Sequence, residues 1–77
     1  MINKSSSTLQ TIAITANLAA LHVILAKAAE RTAEAHAHIL RGERNGAIGT
    51  VIDLDRTLDE AKALFLAAIA LHRTANL

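Results

Sequence analysis

Seventy-seven residues, a net charge of +1, no cysteine and no proline set narrow limits on this chain. That length suits one domain, and without cysteine there can be no disulfide and no thiolate metal site. The small net charge argues against a broad basic face for nucleic acid.

Hydrophobic residues make up 52% of the chain, yet Phe65 is its only aromatic. Alanine, leucine and isoleucine must therefore build the core, and alanine and leucine favour helix strongly. The expected class is all-α. A chain this short buries a modest fraction of its surface and commonly needs a staple or a partner. No covalent staple is present.

Residues 5–26 carry no charged side chain. A helix apolar on all sides must be covered by a membrane or by protein. The length is near that of a bilayer span, and Lys4 and Lys27 flank it. Gln10, Asn17 and His22 lie inside, however, and no Trp or Tyr marks an interface. The serine-rich start also lacks the cationic head and cleavage pattern of a signal peptide. The reading is a cytoplasmic homo-oligomer with no membrane partner and no cofactor.

The first helix is expected over about residues 7–41, starting at the capping-box sequence Ser7-Thr8-Leu9-Gln10. Two stripes recur along it. Ile14, Leu18, Leu21, Leu25, Ala28, Thr32, Ala35 and Ile39 run its whole length and are expected to pack on the second helix. Leu9, Ile12, Ala13, Ala16, Ala20, Val23 and Ile24 cover the N-terminal half only. From this second stripe, Leu9, Ile12, Ala16, Ala20, Val23 and Ile24 form the expected oligomer interface.

All three glycines fall between Gly42 and Gly49. They predict a helix end at Gly42 and a connecting loop over residues 42–50. The second helix is expected over about 51–74, with Asp53, Asp55 and Asp59 near its positive end. Leu54, Leu58, Ala61, Phe65, Ala68, Ile69 and His72 should face the first helix, leaving Leu66 and Leu71 outside. The result is a two-helix hairpin, a single domain over residues 1–77. Its surplus apolar surface predicts a dimeric four-helix bundle or a larger assembly.

Catalytic constellations are absent from the sequence. Serine occurs only at Ser5, Ser6 and Ser7, with no histidine nearby in sequence, so no nucleophile–base pair suggests itself. His36 and His38 point to different sides of a helix, and no i, i+4 histidine pair exists for a metal. The reading is a non-enzymatic protein without a metal site. Arg41 and Arg44 beside glycines and a helix start, with Arg56, form a candidate anion site. His72, on the inward stripe beside Arg73, reads as a core-end histidine or a ligand contact.

The segments Asp55-Arg56-Thr57-Leu58, Ala61-Lys62 and Ala70-Leu71-His72-Arg73 resemble the C-terminal helix of a phage protein family. Its members are small helical sponges that bind cyclic oligonucleotides and disarm the bacterial CBASS immune pathway. The resemblance covers about a quarter of the chain. It implies an oligomer with ligand pockets between subunits, no enzymatic activity, and Arg56 and Arg73 as phosphate contacts. The family's base-stacking N-terminal aromatic has no counterpart, because the chain contains neither Tyr nor Trp.

Two functions follow as expectations. The first is an inhibitor of host immunity that sequesters a cyclic nucleotide signal at Arg56, Arg73, Arg41, Arg44 and His72. The alternative is a homodimeric interaction module that blocks a host protein through an apolar helix face. A third, RNA binding along Lys27, Arg31 and His38, is opposed by the interleaved Glu30 and Glu34.

Overall fold

The computed structural model describes the backbone of residues 2–75 and the side chains of residues 8–74. The protein is all-α, with α1 at Ile2–Leu40, α2 at Arg44–Val51 and α3 at Leu54–Ala75. α1 forms one arm of an antiparallel hairpin, and α2 with α3 forms the other, giving a rod 62 × 14 × 12 Å.

The first arm ends by a recognisable backbone device. Gly42 adopts φ +78°, a left-handed conformation that costs a side-chain-bearing residue about 1 kcal/mol or more. There the amide of Glu43 donates to the His38 carbonyl at 2.9 Å, and that of Gly42 to Ile39 at 3.0 Å. This pair of bonds is a Schellman closure of the helix C-terminus.

The segment 42–50, read from its glycines as a loop, is corrected: only residues 41–43 turn, and Gly46 and Gly49 lie inside α2. Glycine weakens a helix by about 1 kcal/mol relative to alanine, which packing can outweigh. α2 lies against α1, with Ala47 only 2% exposed. A Cβ on Gly46 would come within 3.1 Å of the His38 ring, so glycine there admits the close approach. α1 also begins earlier than the serine capping box, at Ile2, because nothing between residues 2 and 7 breaks a helix. The second arm is interrupted only at Ile52 and Asp53 before α3.

Seam residues alternate at spacings of three and four, the antiparallel coiled-coil pattern. On α1 they include Ile14, Asn17, Leu21, Ile24, Ala28, Ala35 and His38, all buried or half-buried. On the second arm Ala47, Thr50, Leu54, Thr57, Ala61, Leu64, Ala68 and Leu71 keep one unbroken register across the α2–α3 turn. The most buried members are Ala28, Ala47, Ala61 and Ala68. Small side chains at the centre let the helices approach near the low end of the 8–10 Å range.

This seam is rotated from the expected stripes. Leu18, Leu25 and Ile39 on α1, and Leu58 and Phe65 on α3, are 45–49% exposed instead of central. His72, expected to face inward, is also exposed, whereas Leu71, expected outside, is half-buried. The alanines decide the rotation, since centring the larger residues would hold the helices apart.

Candidate functional site

The five residues expected to hold a ligand are distributed along the rod. Arg41 and Arg44 stand at the bend, Arg56 lies near the start of α3, and His72 and Arg73 lie at its far end. Seventeen residues separate Arg56 from Arg73, about 26 Å of helix. All five side chains are exposed. One protomer does not bring them into a common pocket.

Arg41 is already engaged. Its Nε donates to Glu43 Oε1 at 2.8 Å, and its Nη2 lies 3.1 Å from His38 Nδ1. His38 Nδ1 also lies 3.0 Å from the same Glu43 oxygen. Nδ1 donates to Glu43 only when protonated and accepts from Arg41 only when bare, so the two contacts alternate. The hydrogen bonds from His38, then Arg41, hold the Glu43 carboxyl below its ordinary value. This cluster straddles Gly42 and braces the bend. Sequence reasoning missed it, although the run His38, Arg41, Gly42, Glu43 places three complementary polar groups around one turn. Among the described residues, Arg44, Arg56 and Arg73 form no ion pair or side-chain hydrogen bond.

A shallow groove of about 210 Å³ opens on one side of the hairpin, lined by Ile24, Lys27, Ala28, Arg31, Thr57 and Glu60. It is smaller than the ~300–1,000 Å³ of ordinary small-molecule sites, and Glu60 opposes an anion there. Among the described residues, no three His, Cys, Asp or Glu side chains group as metal ligands.

No family model, curated protein or solved structure matches this chain. Its own surface is therefore the guide.

That surface is unusually apolar. Among the described residues, twelve large hydrophobic side chains are 45–73% exposed, against a buried core of four alanines. Of the residues expected at the oligomer interface, Leu9, Ile12, Ala16, Ala20 and Val23 are exposed. Ile24 instead turns towards α3 and lines the groove beside Thr57. Thr8–Leu40 includes a stretch long and apolar enough to cross a membrane, by length and composition alone, and 6% of that stretch is buried. The same helix carries Lys27, Glu30, Arg31 and Glu34 in its second half.

Two apolar surfaces can be told apart. The outer face of α1 carries Leu9, Ile12 and Val23, at 66%, 60% and 51% exposure. The second surface is one flank of the hairpin. Leu18, Leu25, Thr32 and Ile39 each follow a seam residue of α1 by four places, and Val51, Leu58, Phe65 and His72 do so on the other arm. In an antiparallel pair these equivalent positions share one side. Ala13, Ala20, Lys27, Glu34, Asp53, Glu60 and Ala67 occupy the opposite flank, where Lys27 and Glu60 both line the groove.

Proposed function

We propose that this chain is a non-enzymatic helical binding module that works as a homo-oligomer and engages a protein partner through the apolar outer face of α1. The observation that carries this reading is the imbalance, among the described residues, between a buried core of alanines and twelve exposed large apolar side chains. An exposed apolar surface of this extent marks an interaction site. A helix offering Leu9, Ile12, Ala16 and Val23 at three-, four- and seven-residue spacings fits the helix-in-groove mode of recognition.

Sequestration of a cyclic nucleotide is the second reading. It draws support from Arg56 and Arg73, which are exposed and form no ion pair among the described residues. Under this reading the site is completed between subunits. Both readings place the protein in the cytoplasm and make it an inhibitor of a host process.

Native mass spectrometry of the full chain with a mixture of cyclic di- and trinucleotides separates the two. An oligomer without retained nucleotide is the expected result. Retention of one nucleotide species at fixed stoichiometry, lost in Arg56→Ala, would replace the partner reading with the sponge. Under the partner reading Arg56→Ala is neutral, and Ile12→Glu weakens partner capture by at least ten-fold.

A further inference from the structure

We infer that the flank formed by Leu18, Leu25, Ile39, Leu58 and Phe65 is covered by the same flank of a second copy, giving a four-helix bundle. This rests on the oligomeric part of the proposed function and assigns it a face other than the outer stripe of α1.

The first argument is area. The chain exposes 5983 Å², whereas a folded monomer of 8.2 kDa is expected to expose about 4,500 Å². The surplus exceeds the roughly 800 Å² that each partner buries in a standard stable interface. A rod with Cα extents of 14 and 12 Å across is only two helices thick. A second rod laid on its flank converts it into a bundle with an interior.

The second argument is the contrast between the two flanks. The five flank leucine, isoleucine and phenylalanine residues fall in a narrow band of exposure, 45–49%. Each therefore stands at the edge of the seam, half covered within its own protomer. The opposite flank has no large apolar residue at the equivalent positions and carries Lys27, Glu34, Asp53 and Glu60. A surface left to water would not be expected to sort its side chains in this way.

Self-complementarity supplies the third argument. Ile24, Ala28 and Arg31 meet Thr57 and Glu60 around the groove, which fixes how the arms are aligned. Carried to the apolar flank, that alignment interleaves Leu18, Phe65, Leu25, Leu58, Thr32, Val51 and Ile39 along the rod, alternating between arms. The band is about 30 Å long at 1.5 Å per residue. No Asp, Glu, Lys or Arg occupies the band itself, and Asp55 and Lys62, three residues before Leu58 and Phe65, lie along its edge, where exposed charges can stay in water at the rim of a two-fold contact. A closed isologous dimer uses the same patch on both copies.

Sedimentation velocity of the full chain, with three variants, tests the assignment. The wild-type protein should be a dimer at micromolar concentration. Phe65→Glu should weaken the dimer at least 100-fold, while Ala67→Glu on the other flank leaves it intact. If Phe65→Glu fails to fold, thiol labelling decides, because the native chain contains no cysteine. A cysteine in Thr32→Cys, a mild change within the band, should react at least ten-fold slower than one in Ala67→Cys. Equal rates, or a monomeric wild-type chain, would overturn the inference. So would an oligomer dissociated by Ile12→Glu but not by Phe65→Glu, although that outcome leaves the binding-module function standing. Protection of Thr32→Cys that requires phosphatidylglycerol-containing vesicles would give the flank to lipid and also overturn it.

Discussion

At the residue scale, the bend shows how few side chains fix the turn between the arms. Glu43 accepts from Arg41 Nε and approaches His38 Nδ1, and both partners hold its carboxyl below the ordinary value of 4.5. A carboxylate whose folded pKa is lowered contributes stability that is fully present above its unfolded pKa. That contribution disappears as pH falls through the folded pKa. Acidification from pH 5 to below the lowered value should therefore loosen the turn, read as a smaller amide protection factor at Glu43 and Ala47, relative to the intrinsic exchange rate at each pH. Glu43→Gln should flatten this acid dependence. Persistence of the full dependence in the variant would remove Glu43 as its source. The group is exposed, so the effect is local and does not unfold the rod.

Glycine is the other residue whose meaning depends on place. Gly42→Ala should lower stability by about 1 kcal/mol, because alanine is strained at the left-handed φ that closes α1. Gly49 is helical and nothing lies within 4 Å of the position its Cβ would take. Gly49→Ala should therefore raise stability by about 0.5–1 kcal/mol. Urea denaturation of the two variants checks both signs. A loss for Gly49→Ala would mean that α2 is not helical in solution.

At the element scale, the hairpin and its helix end were legible in the sequence, but the seam was not. Gly42 after a long uninterrupted apolar pattern, and before a glycine-rich run, signals a helix end by backbone chemistry alone. Gly46 and Gly49 misled because their helical penalty is small, and the packing of Ala47 against α1 is invisible to local rules. The seam escaped for a related reason. Ile14, Leu18, Leu21 and Leu25 are all apolar, so periodicity draws a broad stripe without choosing its centre. Alanine at 28, 61 and 68 makes that choice through size, a pairwise property of two helices rather than of either one. The arginines illustrate the opposite limit. Their exposure is written in their charge, but within one protomer nothing brings Arg56 and Arg73 together.

The alanine seam makes a prediction of its own. If close approach centres the hairpin, enlarging a buried alanine should be worse than enlarging an exposed one. Ala61→Leu and Ala68→Leu should each cost about 1–3 kcal/mol through overpacking. Ala63→Leu, at an exposed position of the same helix, should fall within about 0.5 kcal/mol of wild type. Thermal unfolding followed by circular dichroism compares all three. Equal tolerance at positions 61 and 63 would move the seam to another face.

At the scale of the whole molecule, stability should depend on how many copies are present. A lone hairpin unfolds unimolecularly, so its midpoint is independent of concentration. Among the described residues the buried hydrophobic side chains are four alanines, and twelve large apolar side chains are 45–73% exposed. On the proposed reading the missing burial comes from another surface. If that surface is a second copy, mass action adds stability with concentration, roughly 2.7 kcal/mol for each 100-fold increase. Melting curves at about 2 and 200 µM should then differ by several degrees for the wild-type chain, given the few degrees that 1 kcal/mol shifts a small protein. Ala67→Glu should keep that dependence, and Leu58→Glu should abolish it while lowering the midpoint towards that of the isolated hairpin. A concentration-independent wild-type melt would mean that four buried alanines suffice to hold the rod. The exposed leucines would then have to be explained by a partner other than the chain itself.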